Sequence, residues 1–145
     1  YNMMDIQAAI GIHQLERIEE NWLHRQKIWD YYNNNFSELP IVLPMVPEKN
    51  IRHAYHLYTV LINETKSGLT RDDFLNRMND ENIGTGVHYL SLPEHPYYQR
   101  TFGWKPEDFP VAMKIGRETV SLPLSPKLTD DDVERVVKTV KKILN

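Results

Sequence analysis

His88, Tyr89, Ser91 and His95 carry the site chemistry that the sequence offers, and their neighbours say how far to take it. His88 and Tyr89 end the run GTGVHY at residues 84–89. There Gly84 and Gly86 allow close backbone approach or unusual torsions beside a ligand. A His–Tyr pair at a strand end serves more often as hydrogen-bonded scaffolding than as a catalytic couple, and no nucleophile stands beside a base in this chain. Catalytic residues are therefore not expected here. Ser91 and His95 follow in LSLPEHPYYQ, where His95, between Glu94 and Pro96, either lines a pocket or caps a turn. His53 and His56 lie three apart on a predicted strand and point to opposite faces. His13 and His24 sit on a predicted helix without a His-Glu-x-x-His arrangement, so no metal site is expected.

The elements that must position these groups begin with a helix. Met4, Ala8, Gly11, Leu15, Ile18, Trp22, Arg25, Trp29, Tyr32 and Phe36 recur at intervals of three and four, one stripe on a helix that Asp5 can cap. Unbroken to Asn35, such a helix is roughly 45 Å long, more than a compact domain of this size needs. It reads as a bridge to another part of the protein. A coiled-coil arm is the blander reading, but Gly11 and Arg25 interrupt the seam. Pro40, Pro44 and Pro47 make residues 38–52 a linker-like crossing. Three units follow from this: a connecting helix at 1–37, the crossing at 38–52 and a small α/β domain at 53–145.

In that domain, residues 54–62 suit an interior strand covered on both sides. Thr70 caps a short helix carrying Phe74, Leu75 and Met78, which ends near Asn82 or Gly84. Residues 83–89 read as a second strand. Residues 93–110, with four prolines and five aromatics, read as an ordered irregular loop with one helical turn around 97–102. A helix over 108–119 leads to a third strand at 120–124, closed by Pro123 and Pro126 and so suited to an edge. The closing helix has Thr129 as N-cap, Asp130, Asp131 and Asp132 in its first turn, a stripe of Val133, Val136, Val137, Val140 and Leu144, and lysines near its end. A surface helix packed on a sheet requires no more than this, and no chemistry is assigned to it.

Composition bounds the function. The 145 residues are 41% hydrophobic and 26% charged, ordinary for a soluble globular domain with one core. A net charge of −3, from 20 acidic and 17 basic residues without a basic block, argues against nucleic acid as a partner. The absence of cysteine excludes disulfides and thiolate metal sites and fits a cytoplasmic protein. No run of 18 apolar residues could span a bilayer, and the opening residues read as amphipathic helix rather than signal sequence. The first residue is Tyr1, not Met, as expected of a fragment.

Four segments, YNMMDIQAAIG at 1–11, HAYHLYTVLI at 53–62, GTGVHY at 84–89 and SLPLSPKLTDDDVERV at 121–136, resemble in content and order the DegT/DnrJ/StrS sugar aminotransferases. The resemblance covers essentially the whole chain. It implies the α/β small domain of a fold-type I aminotransferase: a long N-terminal helix, then a small, mainly antiparallel three-stranded sheet packed with helices. It also implies a homodimer that uses pyridoxal 5'-phosphate to move an amino group, with glutamate as donor, onto a keto group of a nucleotide-linked sugar in cell-surface polysaccharide or lipopolysaccharide biosynthesis.

By the same resemblance, His88 and Tyr89 contact substrate from the neighbouring subunit, with Ser91 and His95 as weaker candidates. Asn2 becomes a candidate cofactor contact, and its amide resembles the aminoarabinose-type branch; it could instead help cap the first helix. The Schiff-base lysine belongs to a preceding larger domain, so the 145 residues alone are expected to be inactive and to bind no pyridoxal phosphate. Two other readings stay open, a related sugar dehydratase or sensor, and a noncatalytic module whose apolar stripe binds a partner helix. That stripe is also expected to drive association.

Overall fold

A computed structural model describes residues 2–145; Tyr1, the first residue of the opening motif, lies outside them. The single helix expected at the N-terminus is two. Helix α1 spans Asp5–Glu16 and α2 spans Ile18–Phe36, parted at Arg17 (φ −105°, ψ 4°). The Arg17 N–H turns back three residues to Gln14 O at 3.3 Å, and α2 restarts when Asn21 N–H donates to Arg17 O at 3.0 Å. Met4, not Asp5, is the N-cap, its N–H donating to Gln7 Oε1 at 3.1 Å. Asp5 is the first helical residue, where its charge favours the helix dipole.

Burial separates the two helices. No α1 residue is buried, whereas α2 buries Ile28, Trp29, Tyr32 and Phe36. These four meet a three-stranded antiparallel sheet ordered β1 (Ile41–Val42), β2 (Tyr58–Ile62), β3 (Thr119–Leu122). Register pairs Ile41 with Ile62 on one side of β2, and Tyr58 with Leu122 on the other. Tyr58 lies 4.9 Å from the Trp29 ring and 5.0 Å from Tyr32, both edge-on, which adds to the area term. Their hydroxyls are not stranded, since Tyr32 donates to Pro123 O (2.9 Å) and Tyr58 to Asn33 Oδ1 (2.8 Å). Burial pushes both phenols above the usual tyrosine range.

The sheet corrects three expectations. The strand foreseen over 54–62 begins only at Tyr58, because Tyr55 takes a positive φ of 46° and its N–H donates to His53 Nδ1 at 3.0 Å. His53 and His56 are therefore not on a strand at all. Residues 83–89 supply no strand, only a bridge from Gly86 to Ser121. The place is taken by Ile41–Val42, inside the stretch read as a linker, so the sheet has the expected three strands with a different third member.

The remaining helices are α3 (Glu64–Ser67), α4 (Arg71–Asp80), α5 (Pro96–Phe102), α6 (Pro110–Glu118) and α7 (Asp130–Leu144). Thr70 caps α4 by accepting from Asp73 N–H at 3.1 Å, and Asn82 beyond it adopts φ 57°. Thr129 accepts from Asp132 N–H at 3.2 Å while Asp132 accepts from Thr129 N–H at 2.9 Å, a reciprocal cap on α7. Phe74 and Met78 of α4 and Val133, Val136, Val137, Val140 and Leu144 of α7 close the core over β2 and β3. Burial of each such aliphatic or aromatic side chain contributes about 1.5–3 kcal/mol before entropy is charged. Among the described residues, no helix is long and apolar enough to cross a membrane.

Candidate functional site

The GTGVHY segment runs alongside β3. Gly86 N–H donates to Ser121 O at 3.1 Å and Ser121 N–H to Gly86 O at 2.8 Å, which pins the segment at one residue on either side. Two positions on, the His88 ring turns back over this bridge and meets Ser121 again, Nδ1 to Oγ at 2.8 Å. A glycine beneath the turn leaves it room, since a Cβ on Gly86 would stand a tight 3.0 Å from His88 Cε1. Tyr89 follows across a cis peptide bond, its ring edge-on to the imidazole at 4.9 Å and 75% exposed. The pair thus combines one fixed, half-buried ring with one open to solvent.

Ser91 and His95 are placed differently. Ser91 is only 8% exposed, and its hydroxyl donates to Ala112 O of α6, which ties the loop to that helix. His95 is exposed and is the N-cap residue of α5, without a side-chain capping bond; its ring lies 6.4 Å from Tyr98. The loop between is ordered by Tyr98 stacked on Trp104 at 5.3 Å and by Gln99 donating to Pro93 O at 2.8 Å. Asn2 is exposed ahead of α1, and Gln7 performs the capping that Asn2 was weighed for.

His56 is exposed, and the other three histidines make local contacts. His24 Nε2 bonds Leu128 O at 2.9 Å, His53 packs 5.0 Å from Trp29 and accepts from Tyr55 N–H, and His13 pairs with exposed Glu16 at 3.1 Å. Two open clefts of about 750 Å³ indent the surface, one lined by Arg71, Met113, Lys114 and Glu118, the other by Leu15, Ile18, Trp22 and Arg25. Neither is lined by His88 or Tyr89. Of the candidate contacts, Tyr89 and His95 are exposed, His88 is half-buried and Ser91 is buried.

Sequence reasoning missed Ser121. Its type gave no signal, since a serine opening SLPL reads as a strand residue; only the β3 register shows that its hydroxyl meets His88.

The model of the DegT/DnrJ/EryC1/StrS aminotransferase family matches residues 1–141. The chain belongs to this family. It is 45% identical to an uncharacterised protein of Methanocaldococcus jannaschii, over 100% of the chain and 38% of that protein. It is 43% identical to the spore coat polysaccharide biosynthesis protein SpsC of Bacillus subtilis, over 99% of the chain and 37% of SpsC. Among solved structures, a candidate sugar aminotransferase of Streptococcus pneumoniae in its apo form superposes with a TM-score of 0.88 at 27% identity, covering 98% of this chain and 35% of that one. The same protein has also been solved in forms carrying pyridoxal phosphate and its amino counterpart. The chain thus spans less than two-fifths of the length of these relatives.

Pyridoxal phosphate is the cofactor such relatives imply, and a lysine that bonds it needs a desolvated amine. Here Lys27 pairs with Asp130 (2.8 Å), Lys138 with Glu134 (2.9 Å) and Lys142 with Glu81 (2.7 Å), while half-buried Lys141 donates to Asn35 (2.8 Å). Lys49, Lys66, Lys105, Lys114 and Lys127 are exposed. Each lysine amine among the described residues is thus exposed, ion-paired or hydrogen-bonded.

Proposed function

We propose that the intact protein containing this chain is an aminotransferase that moves an amino group from glutamate to a keto group on a nucleotide-linked sugar, in cell-surface polysaccharide or lipopolysaccharide biosynthesis. Pyridoxal phosphate, when bound, supplies the electron sink for that exchange. The family match from residue 1 to 141 carries the reading, and the identity to SpsC supports the polysaccharide context. His88 and Tyr89 are the substrate contacts in this proposal, reaching a site completed by the rest of the protein and by the second subunit of a homodimer. Ser91 and His95 are the weaker substrate contacts, Ser91 also tying the loop to α6, and Asn2 reaches the cofactor phosphate. The amide at position 2 points to the aminoarabinose-type branch, acting on a UDP-linked 4-keto sugar. Cytoplasmic location follows from the substrate class.

The test uses the full-length protein with pyridoxal phosphate, L-glutamate and a UDP-4-keto sugar. The expected result is one 2-oxoglutarate released per amino sugar formed. Loss of water from the sugar with no nitrogen gained, or no release of 2-oxoglutarate at all, rejects the reading.

A further inference from the structure

We propose that Ser121 is a positioning residue that fixes His88 as the tautomer protonated on Nε2, so that the ring offers an N–H donor to an acceptor oxygen of the ligand. This rests on the reading of His88 as a substrate contact and deepens it.

The argument starts from the hydroxyl. Ser121 is 5% exposed, so its O–H proton cannot rely on bulk water, and a buried donor without an acceptor is penalised. Both backbone groups of Ser121 are already engaged with Gly86. The acceptor that the hydroxyl meets is His88 Nδ1, 2.8 Å away, within the range of a good hydrogen bond. A neutral imidazole has one protonated nitrogen and one lone pair. If Nδ1 takes the serine proton as acceptor, the ring's own proton resides on Nε2. The reverse arrangement, with Nδ1–H donating to Oγ, would leave the serine proton to find another acceptor inside a buried strand.

Two further features hold the ring in this state. The paired Gly86–Ser121 bridge sets the spacing between the segment and β3, and the bare face of Gly86 admits the ring edge at a distance that a methyl would contest. The ligand chemistry follows: a group bearing lone pairs, such as a hydroxyl, carbonyl or phosphate oxygen.

The experiment labels the histidines of the full-length protein with ¹⁵N and records long-range ¹H–¹⁵N correlations at about pH 8.5, where an ordinary histidine is neutral. His88 is assigned by its disappearance in His88→Gln. The expected result is the Nε2–H pattern, with the Nδ1 resonance displaced from its free position by the accepted hydrogen bond. Ser121→Ala should return Nδ1 to the free position, and Ser121→Thr, which retains a hydroxyl, should keep it displaced. The remaining histidine resonances report whether each variant is folded. An Nδ1–H pattern in the unsubstituted protein overturns the proposal, as does an Nδ1 resonance that Ser121→Ala leaves in place. Should Ser121→Ala fail to fold, the pattern in the unsubstituted protein still decides. Absence of amino transfer would reject the proposed function while leaving this assignment standing, so the two can fail separately.

Discussion

Helices α1 and α2 share one sequence pattern and have opposite fates. The stripe from Met4 to Phe36 keeps its three-and-four spacing throughout, yet Leu15 is 66% exposed and Phe36 fully buried. The difference is in what lies opposite. Tyr58 of β2 and Tyr55 just ahead of it meet α2, and α7 clasps its outer edge through Lys27–Asp130 and Lys141–Asn35. Apolar Met3, Met4, Ile6, Ile10 and Ile12 surround α1 without burial, and a helix apolar on most sides is ordinarily covered. Amphipathic spacing therefore specifies a helix and a face, while the partner decides whether that face is stabilising.

The sharpest way to break this comparison is to truncate both helices in the 145-residue chain and follow urea unfolding. Phe36→Ala should cost about 3–5 kcal/mol. Leu15→Ala on the same stripe should stay within about 0.5 kcal/mol, and an equal loss would mean that α1 is packed after all. A smaller effect sharpens the role of the α7 clasp: Thr129→Ala removes one capping acceptor at the end that holds α2 and should cost about 1 kcal/mol, read as a lower urea midpoint.

The smallest effect is electrostatic. Hydrogen bonding and the charge of Lys27 hold Asp130 below the ordinary carboxylate range, Lys142 does the same for Glu81, and bonds from Thr129 do so for Asp132. A carboxyl depressed by folding contributes stability above its unfolded pKa and loses that contribution as pH falls through the lower folded value. The urea midpoint should therefore slip slightly as pH drops below about 4, and Lys27→Ala should flatten part of that slope. These groups are exposed, so 0.5 M salt should reduce the slope further.

Much of the fold could be read from residue types. Thr70 and Thr129 announced their caps, the valines of α7 their buried face, and Pro123 the edge position of β3. What escaped was register and local geometry. Nothing in the types of Ile41 and Val42 distinguishes a two-residue strand from a proline-rich crossing, and the positive φ at Tyr55 runs against its type. At the site, the glycines of GTGVHY were read as room for a ligand, whereas the group that approaches Gly86 is the His88 ring. The bond from Ser91 to Ala112 O escaped because a hydroxyl looks the same on paper whether it faces water or a carbonyl. Ser121 was overlooked because its partner comes from a chain crossing 33 residues earlier.

Gly116 of α6 sets the seat of the loop that carries Tyr89. A Cβ there would stand 2.7 Å from the Ser91 backbone nitrogen, a group that cannot swing aside as a flexible side-chain tip can. Substitution at 116 alone must lift the loop off its helix. Replacing Ser91 alone leaves the backbone obstacle in place. The two positions therefore share a ratchet: during divergence this loop can be redecorated at its exposed tip in single steps, whereas moving its base requires helix and loop to change together.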